Sequence, residues 1–334
     1  MSMSDGPGEE VLWSAVDQAT RAPSVHNTQP WRWRWEPGAV WLYADWGRQL
    51  PVADPRGWDV LMSCGAALHH LRVALAAAGW ATEVRRLPDP TDGSLLAAVR
   101  THPHQPTEEE RRTASTIPER RSDRRRYDLW QVPTALIREM EERAAEQGVT
   151  VRPVTDPATR YRLVSAMREA AERQESDEAY LSELAAWSGR LSHDVEGVPA
   201  ANTLAPGAGD PDVPTRRFPG GELPRSPRQL NDPDAGTLLV LGSAREDRMS
   251  WLRAGEALSA VLLCAAEHGL VSCPLSQALE VPITRDALRE RVLDAETYPH
   301  IVVRVGCPLL NAPPLAETPR RPLAEIVERA APVR

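Results

Sequence analysis

The sequence contains no lysine: all 39 basic residues of the 334-residue chain are arginine. That absence excludes a P-loop lysine, a Schiff base to a pyridoxal cofactor and a lysine general base. Any bound anion must be held by arginine, a helix N-terminus or backbone N–H groups. Phenylalanine is nearly missing too, with Phe218 alone against 11 tryptophans. The four cysteines, Cys64, Cys264, Cys273 and Cys307, form no C-x-x-C pair, which speaks against a zinc ribbon or a thioredoxin-type motif. Each lies among apolar residues and is expected to be a buried thiol in a reducing cytosol. The acidic opening MSMSDGPGEE is wrong for a signal peptide. The most apolar stretch, Val73–Trp80, is far too short for a membrane span, so no membrane partner is expected. Neither G-x-S-x-G nor G-x-G-x-x-G occurs, so the hydrolase and dinucleotide fingerprints are missing. His102-Pro103-His104 supplies only two ligands, and no metal site is expected. A net charge of -8 argues against a nucleic-acid partner.

What remains is a soluble, ordered composition, 42% apolar and 26% charged, long enough for about two domains. Residues 9–21 carry apolar side chains at helical spacing. WRWRW (31–35) alternates strictly and predicts a half-buried strand, paired as a hairpin with 39–45 across Glu36-Pro37-Gly38. A long Ala- and Leu-rich helix is predicted over 58–79 and a strand over 95–100. Residues 101–119, polar and rich in proline, read as a link. Beyond it come a helix (132–148), a strand (149–156), helical sequence (157–187), a strand (237–243), a helix (250–268), a strand (300–306) and a final short helix. Between Ser188 and Asp234 the pattern dissolves into Gly, Pro, Asp and Arg. A loop of that length is usually a lid or binding loop, or is disordered.

The two long helices repeat. CGAALHHLRVALAAAGW begins at Cys64 and AGEALSAVLLCAAEHGL at Ala254. Gly65 and Gly79 match Gly255 and Gly269 at a constant offset of 190, with strands before and after each helix. Duplication is the simplest explanation: two α+β units, each a sheet flanked by helices, packed as an intramolecular pseudo-dimer. The division is expected between residues 1–110 and 111–334.

Ala22-Pro23-Ser24-Val25-His26-Asn27-Thr28-Gln29-Pro30-Trp31 resembles the A-P-S-x-x-N-x-Q-P-W motif of FMN-dependent nitroreductases. IPERRSDRRRY (117–127) is similar to the R-R-S-x-R opening of the same family. GCPLLNAPPLAETPRRPLAEI is similar to its closing strand and basic tail. The order departs from the ordinary pattern. The first half has the A-P-S motif without the Arg-Arg-Ser opening, and the second half has the reverse. That division resembles the single-chain, Acg-type branch. It implies one FMN per chain, bound between the halves of a monomer, with no second site.

The resemblance implies roles. Arg120, Arg121, Ser122 and Arg124 belong to the opening motif. Arg124 would face the N1/O2 edge of the flavin, where a cation stabilises the anionic reduced ring. Arg320 and Arg321 would close on the phosphate. Pro23, Ser24 and Asn27 would contact the cofactor from the opposite half, and Cys273, Pro274, Leu275 and Ser276 from the turn after the late helix, with Cys273 as a buried small residue. His26 stands at a variable position and is expected to be a surface or packing residue. Gln29 and Trp31 are expected to shape the loop. The activity implied is NAD(P)H-dependent reduction of a nitro or quinone-type small molecule by a ping-pong cycle. The alternative is a flavin store whose long loop bars the nicotinamide, with Phe218 either a lid anchor or an ordinary loop residue. Without the resemblance, the Arg-rich run at 120–126 would read as a solvated charged segment.

Overall fold

In WRWRW, Trp31 and Trp33 turn inward and are fully buried, while Arg32 and Arg34 face solvent. The computed structural model, which describes residues 6–36, 38–191, 193–205, 212–223 and 235–329, builds two sheets around such strands. The first unit runs α1 (Glu9–Thr20), β1 (Trp31–Glu36), β2 (Ala39–Ala44), α2 (Trp58–Ala77), β3 (Trp80–Arg86) and β4 (Leu95–Pro103). Next come α3 (Glu108–Thr116), α4 (Thr134–Glu146), β5 (Thr150–Val154), α5 (Pro157–Glu175), α6 (Glu178–Ala186), β6 (Thr237–Ser243) and α7 (Arg248–Glu267). The chain closes with β7 (Val271–Leu275), α8 (Gln277–Glu280), α9 (Pro282–Arg291), β8 (Tyr298–Gly306), α10 (Leu323–Ile326) and β9 (Val327–Arg329).

The two sheets share one topology. The first has the order β3-β4-β2-β1 and the second β7-β8-β6-β5, each antiparallel throughout. Both carry a register shift on the strand before the central helix, at Leu42/Tyr43 and at Leu241/Gly242. The chain is α+β and contains two similar fused units. One element breaks the symmetry: β9, from the C-terminus, pairs parallel with β1 and so extends the sheet of the first unit.

The central helices α2 and α7 are buried along most of their length and pack on each other. Asp54 receives the N–H groups of Trp58 and Val60 at the start of α2, and Asp247 caps α7 by accepting from Ser250 N–H. Both helices are long and apolar enough to cross a membrane by length and composition. Here they form the core between two sheets, which is why their apolar character covers all faces rather than one stripe.

Several predicted elements extend or change. The expected link at 101–119 holds the end of β4 and all of α3, which is started by a capping box between Thr107 and Glu110. Residue 110 therefore lies inside a helix rather than at a boundary. β3, β7, α9 and β9 were not anticipated by the pattern: β3 (WATEVRR) and β7 (VSCPL) are short and lack clean alternation. The helical sequence 157–187 breaks at Ser176, where Asp177 caps α6. Of the long loop expected over 188–234, Ser192, 206–211 and 224–234 lie outside the described residues, as does Pro37 of the expected hairpin turn. The remainder is irregular, with one short helical turn at Ala200–Asn202. Cys64, Cys264 and Cys273 are buried and Cys307 is half-buried.

Candidate active site

Two adjoining, partly open cavities meet between the units. Both are lined by Pro23, Ser24, His26, Ser122 and Arg124. The first is cationic, with Arg21, Arg120, Arg121 and Arg320 around it and Glu317 as its one acid. The second is flatter in chemistry, lined by Met62, Phe218, Cys273, Pro274, Leu275 and Ile301 among others. The cleft thus has a positively charged end and a mixed end, where Asp59, Arg216, Ser276 and Gln277 stand beside those apolar side chains, joined at Arg124.

The loop before β1 is held in a tight shape. His26, Asn27 and Gln29 adopt left-handed backbone angles, φ 47, 55 and 50. Such angles cost free energy for non-glycine residues and persist where surrounding bonds over-determine them. Those bonds are present. Gln29 N–H donates to Ser24 Oγ (3.0 Å), and Gln29 Nε2 donates to Val195 O (2.7 Å). Asn27 Nδ2 donates to Gly197 O (3.1 Å) and Pro319 O (3.3 Å). The loop is therefore clasped by the long loop on one side and the C-terminal tail on the other.

Ser122 sits against the edge of β7, where Asp123 N–H donates to Ser272 O (2.8 Å). This pairing sets the direction of the arginine run. Arg125 turns away into a bidentate pair with Asp123. Arg121 reaches back to the carbonyls of Pro118 and Arg120 and lines the cationic end. Arg120 points inward and is 6% exposed. Its Nη2 donates to Arg21 O (3.1 Å), while Nε and Nη1 are buried with no protein partner. Burial lowers its pKa to about 10, with Arg121 adding repulsion. Arg320 donates to Thr20 O (2.6 Å) and Arg21 O (3.2 Å), and burial, then Arg120, Arg121 and Arg21, lower its pKa to about 9. Buried guanidiniums that repel each other, with Glu317 as the one acid beside them, leave a surplus of positive charge that an anion would neutralise. Arg124 donates to Asn202 O (3.1 Å) and lies 4.8 Å from the Phe218 ring centroid. Burial lowers its pKa as well.

The structure brings Pro23, Ser24, Asn27, Arg120, Arg121, Ser122, Arg124, Cys273, Pro274, Leu275, Ser276 and Arg320 around this one cleft. It does not bring Arg321. That side chain reaches Asp45 (3.9 Å) and Glu325 (3.6 Å), and the backbone N–H of Arg321 donates to Gln29 Oε1. It braces the loop from behind. Cys273 to Leu275 lie on a strand rather than in a turn.

Of the surface and packing roles expected for His26, the structure shows packing, and places it inside the cleft. It is buried, lines both cavities, and meets Phe218 edge-on at 5.5 Å. Burial, then Arg216 and Arg124, hold it well below the usual histidine pKa, so it is neutral at pH 7. Sequence reading also missed Arg216. It pairs with Glu280, touches Tyr180, and donates to Ser276 Oγ (3.1 Å), which anchors residues 212–223 across the second cavity. Phe218, 8% exposed, is thus an anchor rather than a surface residue. Its isolation as the single phenylalanine beside two arginines was the available signal.

The pseudo-symmetric place is built differently. The connection between α1 and β1 spans residues 21–30, whereas that between α4 and β5 is only 147–149. At the offset of 190, Arg86 replaces Ser276. It binds Glu256 at 2.6 Å, as does Arg72 at 2.8 Å, with Gln147 accepting from Arg72. A closed ion-pair cluster stands where the counterpart cleft would be.

The fold and this cleft define a nitroreductase-type α+β protein with both lobes in one chain. Comparison with known proteins fixes the branch. No family model matches the chain. The Mycobacterium tuberculosis protein named "Putative NAD(P)H nitroreductase Rv3131" is 43% identical over 322 residues, covering 96% of this chain and 92% of its own. The protein named "Putative NAD(P)H nitroreductase acg" from the same organism is 37% identical, covering 95% of each. The chain belongs to this nitroreductase family, in the branch that contains Acg. Among solved structures, the FMN-dependent nitroreductase NfnB from Mycobacterium smegmatis, in complex with NADPH, aligns over 66% of this chain and 98% of its own, at 17% identity and TM-score 0.41. A nitroreductase with bound FMN from Bacteroides fragilis aligns over 60% and 90%, at 16% identity and TM-score 0.36. Overlays that loose add nothing to the assignment.

Proposed function

We propose that the protein is an FMN-binding, NAD(P)H-dependent oxidoreductase of the nitroreductase type that reduces nitro or quinone-type small molecules. The observation that carries this reading is the pair of unpartnered nitrogens on buried Arg120, at the cationic end of a cleft whose other end mixes apolar and polar side chains. The chemistry of the cleft fits a phosphate joined to a flat amphipathic ring. Arg120 would hold the phosphate as a fork, with Ser24 and Ser122 as hydroxyl donors, while Arg320 and Arg21, whose N–H groups already serve backbone carbonyls and Glu317, would add positive charge. Pro274, Leu275 and Met62 would bound the ring, and Arg124 would stand at its polar edge. FMN, once bound, supplies hydride transfer from nicotinamide to acceptor. The protein's own part is to bind, orient and exclude water. Neutral His26 leaves Arg124 and Arg216 as the cations near the ring.

Only one cofactor per chain fits this reading, because Glu256 with Arg72 and Arg86 fills the counterpart place. The same reading makes the chain a monomer with the division near the start of α3, and its free thiols suit a reducing cytosol. A storage role is not favoured, since the relatives are named for reductase activity. Anaerobic mixing with NADPH and NADH tests the function. Bleaching of the flavin band is expected. An oxidised spectrum that persists with both, yet yields to dithionite, would refute the reductase.

A further inference from the structure

Away from the cleft, α4 and α7 meet in a second cluster of reactive side chains. Cys264 and His268 lie four residues apart at the C-terminal end of α7, so both project to one face. Glu139, from α4, faces them. One ligand atom each from Glu139, Cys264 and His268 lies within 4.8 Å of the others, and the His268 ring nitrogen stands 2.9 Å from Glu139. Among the described residues this is the one cluster of three such groups.

We propose that Glu139, Cys264 and His268 form a binding site for a single zinc-type divalent cation that ties α4 to α7. A mixed sulfur, nitrogen and carboxylate set is what zinc takes, with water as fourth ligand. Bonds of about 2.0–2.3 Å put ligand atoms roughly 3.3–3.8 Å apart in a tetrahedron, so small side-chain rotations close the group. Access and depth are suited to this. Glu139 and His268 are each about one-third exposed, and the fully buried thiol lies beneath them.

The surrounding charge supports a cation. Glu139 and Glu267 face the cluster from α4 and α7, and Glu109 from α3; Arg143 and Arg112 oppose them. Three carboxylates against two guanidiniums leave one negative charge, and the Cys264 thiolate would bring a second. A divalent ion neutralises both. The C-terminal end of α7 adds the negative pole of its dipole. Arg143 donates to one Glu139 oxygen at 2.7 Å and to both oxygens of Glu267 at 2.9 Å. It thereby orients Glu139 with its other oxygen toward His268, the role that outer partners play at metal sites. Burial pushes the Cys264 thiol up to about 12, so the free thiol is protonated at neutral pH and a bound cation displaces its proton. The site shares no residue with the flavin cleft, so either reading can fail without the other.

The test uses the full chain, reduced and freed of metal by chelation, titrated anaerobically with Co²⁺. One equivalent per chain is expected, with a thiolate-to-cobalt charge-transfer band in the near ultraviolet that Zn²⁺ abolishes. Cys264→Ser removes the band, and His268→Gln weakens Co²⁺ binding at least about tenfold with the circular dichroism unchanged. No band in the parent chain, or a band that survives Cys264→Ser, overturns the proposal and leaves an ion-pair cluster only. If Cys264→Ser does not fold, the partly exposed His268 decides: unchanged Co²⁺ affinity in His268→Gln overturns it.

Discussion

Gly65 and Gly255 each press against the backbone of the other's helix, 190 residues apart in sequence and related by the same internal two-fold. A Cβ on Gly65 would overlap the Leu252 carbonyl and one on Gly255 the Met62 carbonyl, and Leu252 and Met62 are themselves 190 apart. His69 and Ser259 repeat the offset, bonded across the axis at 2.8 Å. The cleft lies between the units that this crossing fixes, so its shape depends on how closely two helices approach.

Gly65→Ala should therefore force α2 and α7 apart. The obstructing atoms are backbone, which cannot swing away. Overpacking of this kind costs about 1–3 kcal/mol, and Gly255→Ala should cost about as much. Urea unfolding reads the loss, and retention of FMN should fall with it. An unchanged midpoint in both variants would show that the crossing is looser than described.

The Glu256 cluster makes a second stability prediction. Glu256 is fully buried between Arg72 and Arg86. Arg86→Ala leaves that carboxylate with one partner and should destabilise the chain by about 3 kcal/mol, the range found when a buried pair is broken. Replacing exposed Arg34, whose pair with Glu36 is solvated, should cost less than about 1 kcal/mol. Denaturation of the two variants side by side checks the contrast.

Stability should also depend on the buried histidines. Burial lowers His69 and His300 to about 3, against 6.5 when unfolded. The unfolded chain therefore takes up protons first as the medium is acidified. The stability these neutral rings contribute is fully present above about pH 6.5 and is lost as pH falls toward 3, at up to about 1.4 kcal/mol per unit for each ring. Asp54, raised to about 7 chiefly by burial, acts in the opposite direction over part of that window. His300→Gln keeps a partner for Ser243, now 2.6 Å from the ring, and isolates one contribution. Its unfolding midpoint should fall less between pH 7 and 5 than that of the parent chain; an equal fall would contradict the buried, neutral His300.

Much of this was legible before any coordinates. WRWRW and the paired glycines carry a physical signature of alternation and spacing, whereas the A-P-S stretch was legible through its resemblance to a family motif. What was hidden depended on distant partners. β3 and β7 are strands because β4 and β8 lie beside them, and β9 because β1 offers an open edge. Nothing in PRRP says that Arg320 turns inward while Arg321 turns to Asp45. His26 looked like a variable loop residue because its burial is imposed by Arg216 and Phe218, some 190 residues later. The arginine run showed charge but not direction, which the Asp123–Ser272 bond decides.

Arg120 provides the sharpest distinction between a structural and a binding role. Without ligand it is a buried cation repelled by Arg121, so Arg120→Ala should leave the free chain as stable or more so. In the presence of FMN the order should reverse, with affinity reduced by about a hundredfold, roughly the 3 kcal/mol of a charge-assisted contact. Thermal unfolding with and without FMN shows both effects.

The most direct trial of the account is a titration of the purified chain with FMN, followed by flavin fluorescence while its mass in solution is measured. One flavin per single chain is the predicted outcome, with binding abolished when Arg120 and Arg124 are both replaced by alanine. No binding, two flavins per chain, or undiminished binding in the double variant would contradict a lone cofactor held between the two units.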